Sequence, residues 1–299
     1  MNERDLRSYN VLKRYKVIEL VNKVLVVKDS GFKGLMNKSK EKKDLKKYKN
    51  YIAYATKSEL KTEVINSYLG WMWMILEPLA FMLIYTFIAQ IIFKSSVDYF
   101  PVFVFIGLSI WNFFNKMVTV SVKLVANNRD TVTKVYLPKW VLLIVKMGVN
   151  LFKMMVSFLL VFIFMVIYQV PITWNVLWFL PILIVSIIFT FGVCTLVMHI
   201  GVFVEDLSNL VNIGLRMLFY MTGIFFDIAS RIHNEVYRTI LLDINPLANF
   251  IYNMRNVLIY STPPVGMWTL IWFFISIWIC VYGINTIYKY ENTYVKVMK

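Results

Sequence analysis

Cysteine is nearly absent from this 299-residue chain: only Cys194 and Cys280 occur, and both sit inside apolar runs. No disulfide framework and no zinc-ligand spacing can be built from them, so they read as small core residues. Histidine is equally scarce, with His199 in an apolar run and His233 in a polar segment. No carboxylate pair stands in a plausible site, since Glu205 and Asp206 are neighbours in a loop, and no G-x-S-x-G motif occurs. The chain is therefore read as non-catalytic, with no metal site. A GxxxxGK[ST] phosphate loop is missing too, because GFKGLMNKS at 31–39 has neither its spacing nor a strand-to-helix setting. Charged residues make up 16% of the chain, against roughly 25% in soluble domains. The charged amino terminus carries no expected signal peptide or lipidation motif.

What the chain has in abundance is hydrocarbon. It is 59% hydrophobic and 17% aromatic, with a mean hydropathy of +0.62, which describes an integral membrane protein with one membrane domain. The net charge of +15 is concentrated in the first sixty residues and in short loops. That distribution suits an anionic inner leaflet and the positive-inside rule, not nucleic acid.

The rest of the chain is organised around Ser67–Phe93, reading SYLGWMWMILEPLAFMLIYTFIAQIIF. A run of this length matches the roughly 20 apolar residues that a helix needs to cross a bilayer. Glu77 and Pro78 interrupt it about two turns in. Proline removes a backbone donor there, so a bend is expected. A carboxylate at that depth must face protein or water.

Before this stretch, residues 1–66 form a basic arm. Val11, Tyr15, Ile18, Val21 and Leu25 share one helical face opposite Lys13, Arg14, Lys16, Glu19 and Lys23, a pattern suited to a membrane surface. Gly31–Lys49 is lysine-rich and is expected to be a flexible linker. Tyr51–Asn66 is a second amphipathic segment. The membrane domain, 67–290, holds six expected spans: Trp71–Phe93, Phe100–Val125, Trp140–Tyr168, Val176–Phe203, Leu207–Phe226 and Val265–Tyr288. Residues 291–299 form a tail. The fold class is all-α.

Six spans place both termini on one side. The arm, the Arg129–Lys139 loop and the tail carry the lysines and arginines, with Lys94 the exception, so that side is expected to be cytoplasmic in the cell membrane. Trp71, Trp73, Trp140, Trp174, Trp178 and Trp268 fall near span ends, as an interfacial belt would.

Polar residues inside the spans carry the functional signal, because each is costly there. In the fifth span Asn209, Asn212, Arg216 and Tyr220 recur at helical spacing. In the third, Lys146, Asn150, Lys153 and Ser157 do the same. Asn115 and Lys116 lie well inside the second, and Glu77, Phe81 and Tyr85 share a face of the first. If these stripes face one another they enclose a cationic cavity with aromatic patches. Aromatic faces suit sugar rings and fixed cations suit phosphate, and a lipid-linked glycan has both chemistries.

Several strings resemble one family. SYLGWMWMILEPL is similar to the opening signature S-x-LG-x-x-W-x-x-L-x-P of permease subunits of ABC exporters for polysaccharides and teichoic acids, at Ser67, Leu69, Gly70, Trp73, Leu76 and Pro78. YFPVFVFIGLSIWNFF is similar at Pro101, Gly107, Trp111 and Phe114, and VTKVYLPK at Lys134 and Pro138. INPLANFIYNMRNVLIY resembles the family's NP-x(8)-R segment at Asn245, Pro246 and Arg255. The resemblance covers about residues 58–290. It departs at Glu63–Val64, where the family often has arginine–tyrosine, and at Glu205, where it often has arginine before Asp206.

The resemblance implies a half-transporter that forms a homodimer with two copies of a separate ATPase, which binds the ATP and magnesium. Asn127, Asn128, Arg129, Asp130, Lys134, Tyr136 and Pro138 would couple to that ATPase, with Glu205 and Asp206 a lesser contact. Two short re-entrant helices would lie between Ser230 and Tyr260, with Asn245, Pro246 and Arg255 at an outer gate. The first and fifth spans would line a pathway through Glu77, Phe81, Tyr85, Lys153, Asn209, Asn212, Arg216 and Tyr220, carrying a lipid-linked glycan among membrane lipids. O-antigen, teichoic acid, capsule and rhamnan all remain open as the polymer. Alternatives are a membrane-embedded glycosyl or acyl transferase, for which no acidic or histidine site is visible, and an ion-coupled transporter, for which no internal repeat is visible.

Overall fold

A computed structural model describes residues 38–65, 68–88, 97–134, 136–264 and 266–297. The amphipathic stretch expected at Val11–Leu25, Lys94 and the last residues of the expected first span lie outside these. The chain divides into two units, 1–49 and 50–299, and the second holds the membrane domain. No strand occurs among the described residues. Five helical stretches among the described residues are long and apolar enough to cross a membrane: Gly70–Phe87, Phe100–Val122, Lys139–Ile167, Trp174–Phe203 and Gly266–Glu291.

Helix α1 runs over Lys38–Ile65. Its lysine-rich first part was expected to be a linker. Lysine, glutamate and leucine are instead good helix formers, and from Lys38 they continue the amphipathic helix upstream. A tight turn at Gly70–Met72, with Gly70 at φ +47°, redirects the chain into α2, Trp73–Phe87. Helix α2 continues through Pro78.

Helix α3, Phe100–Val122, is the centre of the domain and is buried along nearly its whole length. It packs against α2, the long helix α6 (Lys139–Ile167) and α7 (Phe179–Phe203). Two short helices, α4 (Leu124–Asn127) and α5 (Arg129–Lys134), make the turn between α3 and α6. Helix α8, Leu207–Met221, follows the exposed turn at Glu205 and Asp206.

Two boundaries differ from the expected ones. The fifth span was expected to reach Phe226, but α8 ends at Met221 after 15 residues, short of the roughly 20 of a full span. Gly223, at φ +65°, breaks the helix, and the carbonyls that follow are taken up by Arg255. The carboxyl-terminal tail is also helical: α12 runs unbroken over Gly266–Val297, because Glu291 and Tyr294 find buried partners on α6 and α7.

Between α8 and α12 lie α9 (Ile228–Arg231), α10 (Glu235–Arg238), a π turn (Thr239–Ile244) and α11 (Pro246–Leu258). Of these, α11 is enclosed by α3, α7 and α12 and is almost wholly buried. Helices α7 and α12 approach closely through small residues. A Cβ on Gly192 would stand 2.9 Å from the Cys280 backbone nitrogen, and one on Gly283 would overlap Thr195. In lipid such close approach is a main source of helix association.

Candidate functional site

At the α11 end, Asn245 caps α11 by accepting from the amides of Leu247 (3.2 Å) and Ala248 (3.4 Å), and Pro246 occupies the first helical position. Arg255, 4% exposed, donates to the carbonyls of Phe103 (3.1 Å), Gly223 (2.9 Å) and Ile224 (2.9 Å), and its guanidinium lies 3.3 Å from the Phe103 ring centroid. Gly107 makes room for it, since a Cβ there would meet Nη2 at 2.8 Å. Every visible bond of Arg255 therefore goes to backbone. It ties the end of α8 to the start of α3.

At the opposite end, α5 exposes Arg129, Asp130 and Lys134 while Val132 faces inward. Asn127 and Tyr136 are exposed, Asn128 donates to the Leu124 carbonyl, and Pro138 is buried at the start of α6. The last turns of α12 brace this segment. Glu291 accepts from Tyr136 Oη (3.2 Å) and pairs with Lys139 (3.3 Å) in a bridge whose side chains are only 3% and 9% exposed. Trp140, expected in an interfacial belt, is instead buried and donates Nε1–H to Tyr288 Oη at 2.8 Å. His199 lies 2.7 Å from Tyr294 Oη, as a packed histidine does. Glu205 and Asp206 are exposed at the same end.

Helices α2 and α8 are the exposed pair. On α8, Asn209, Asn212, Arg216 and Tyr220 form one exposed stripe, and Leu210, Ile213, Met217 and Met221 form an exposed apolar band beside it. Only Leu215 is buried. On α2, Leu83, Ile84 and Phe87 are exposed; Phe81 stacks on Tyr85 at 6.2 Å, and Tyr85 meets Phe225 at 4.3 Å.

The third-span stripe does not join the α8 stripe within one chain. It turns towards α1 instead. Lys146 pairs with Glu59 (2.9 Å) and Lys153 with Glu63 (2.6 Å), while Asn150 and Ser157 bond back to carbonyls of α6. Thr56 rests directly on Gly148, where a Cβ would meet its side chain at 2.9 Å. The two ion pairs are about a third exposed or more, so each contributes about 0.2–1 kcal/mol. They latch α1 along α6.

Between α1, α2, α3 and α6 lies a cleft of about 390 Å³. Its lining includes Glu77 and Lys153 from the expected pathway, together with Glu63, Trp73, Asn112, Asn115 and Lys116, and no residue of α8. Asn112 and Glu63 were missed as site residues. The recurrence Ser109, Asn112, Lys116 on one helical face was the signal available for the first. The departure from the family pattern at residue 63 was the signal for the second.

The ABC-2 type transporter profile matches residues 51–259, more than half of the chain. The chain belongs to the ABC-2 type transporter family. It is similar to the O-antigen export system permease protein RfbA of Myxococcus xanthus, 27% identical over 215 residues that cover 72% of this chain and 82% of that protein. It is also similar to two Klebsiella pneumoniae proteins of the same name. One is 25% identical over 244 residues, 81% of this chain and 93% of the relative, and the other 27% over 203 residues, 68% and 77%. ABC-2 permeases are non-catalytic transmembrane subunits whose ATPase is a separate chain. The transferase and ion-coupled alternatives fall away. In this ABC-2 permease the motif residues Gly107 and Arg255, far apart in sequence, touch.

Proposed function

We propose that this permease forms a homodimer with two ATPase copies and exports a lipid-linked polysaccharide from the cytoplasmic side, with both termini in the cytoplasm. The relatives' names supply the substrate class. One observation carries the reading: α8 exposes a polar stripe beside an apolar band. Arginine and asparagine facing acyl chains would cost several kcal/mol, so the stripe needs protein or water in front of it. A second copy packed on the apolar bands would leave Asn209, Asn212, Arg216 and Tyr220 facing their twins across a wet seam, with Phe81 and Tyr85 of α2 alongside, while Glu77 turns into the cleft beside α1.

In this reading α8 is the sixth crossing. Gly201 meets Val122 at the end of α3 a few residues before α8 begins, the residues just after α8 are held near Phe103, and α8 packs along α3 between them. The exposed face of α5 would dock on the ATPase, with Asn127, Asn128, Tyr136 and Pro138 shaping the segment and Glu205 and Asp206 as a lesser contact. Asn245, Pro246 and Arg255 would hold the outer gate by fixing α11 and the end of α8. Lys153 serves the pathway through its exchangeable pair with Glu63.

The test is cross-linking in the assembled transporter. With Cys194 and Cys280 replaced by alanine, Met217→Cys is expected to give a disulfide-linked dimer on mild oxidation, and a cysteine at the α7 lipid-facing residue Ile184 is not. A monomer from both, in a complex that still exports, would overturn the arrangement.

A further inference from the structure

The cleft between α1, α2, α3 and α6 holds polar groups that nothing described so far uses. Lys116 and Glu77 line it, and neither makes an ion pair among the described residues. Asn112 and Asn115 bring two amides from the same face of α3 as Lys116. Pro78 has no N–H, so the carbonyl of Met74, also in the lining, lacks its helical donor. Trp73 supplies an aromatic wall.

Beside the Lys153–Glu63 pair, this set has one cation, several acceptors, two amides and a ring. A bare anion would meet Glu77 as a repulsive charge. A phosphorylated sugar meets each group with its complement: phosphate on the ammonium, hydroxyls donating to the carboxylate and the free carbonyl, amides doing either, and the ring against a sugar face. The volume lies near the lower end of the roughly 300–1,000 Å³ typical of ligand pockets, which suits one headgroup and not a polymer. We propose that this cleft binds the glycosyl-phosphate end of the lipid-linked substrate, with Lys116 as the phosphate contact and Glu77, the Met74 carbonyl, Asn112 and Asn115 as sugar contacts. It rests on the export reading above. Helix α1, held by the Glu63–Lys153 pair, forms the wall that must part for the headgroup to enter.

The experiment uses the full-length permease with its ATPase in nanodiscs. Binding is measured for a radiolabelled polyprenyl diphosphohexose and for sugar-free polyprenyl diphosphate. Lys116→Gln is expected to weaken both lipids about tenfold and Lys116→Arg to restore most of the loss, because a charge-assisted contact is removed and returned. Glu77→Gln is expected to weaken the sugar-bearing lipid about threefold while leaving the sugar-free one no weaker. Unchanged binding in Lys116→Gln overturns the proposal. So does displacement of the probe by an equal amount of phosphatidylethanolamine, which marks a phospholipid site, or by inorganic pyrophosphate, which marks a free-anion site. A wild-type complex that neither binds the probe nor exports polysaccharide would sink the export reading itself. A Lys116→Gln complex that exports and binds normally sinks only the cleft assignment.

Discussion

Arg255 and Arg216 both belong to the membrane domain, and their surroundings are opposite. Arg255 is buried, with three carbonyls and a phenyl ring around its guanidinium. Arg216 stands exposed on α8 with no bond among the described residues. The same side chain is structural in one place, where its donors are used up, and available in the other, where they are not. The cost of burying a charge is met within the chain at α11, whereas at α8, in the proposed dimer, it is met across the seam. The Lys139–Glu291 and Lys153–Glu63 pairs repeat the contrast on a smaller scale, one sealed and one partly wet.

Removing Arg255 should have the largest effect. Arg255→Met leaves the Phe103, Gly223 and Ile224 carbonyls without their donor and is expected to cost about 3–5 kcal/mol, read as loss of folded protein or a collapse of Tm in detergent. Wild-type melting would deny the clasp its structural role. Next comes Glu291→Gln, which strands the buried Lys139 ammonium and should cost about 2–3 kcal/mol. The double change with Lys139→Met should recover most of that in a thermal-melting cycle, and an additive loss would show that the pair is not the unit at work.

Arg216→Ala should behave in the reverse manner, with an unchanged Tm and export reduced about tenfold, equivalent to about 1.4 kcal/mol. Normal export from a well-expressed Arg216→Ala transporter would erase the contrast between the two arginines. The smallest effect is assigned to Glu63→Gln, which should lower stability by about 0.2–1 kcal/mol, and by less at high salt, because the pair with Lys153 is partly solvated.

Much of the helical frame was legible because membrane spans announce themselves by length. The starts of α3 and α6 and the end of α7 fall within about one residue of where the apolar runs change character. The end of α8 was not legible, since Phe225 and Phe226 continue the apolar run, and the carbonyls freed at Gly223 find their donor in a guanidinium about thirty residues downstream. The polar periodicity of α6 was visible, but its direction was not. A stripe read from spacing has a face without a partner, and Glu59 and Glu63, which decide the partner, lie on a helix whose packing the spacing does not encode. The tail was set apart from the sixth span, and burial of Glu291 needed Lys139 to be known as its neighbour.

Gly148 sets a gauge for one wall of the proposed site. Because it has no side chain, α1 lies on bare backbone at Thr56, on the two helices, α1 and α6, that also wall the proposed headgroup cleft. A single added methyl at this position would lift the helix like a shim. A transporter suited to bulkier headgroups could therefore arise by widening this one contact, with the fold left untouched.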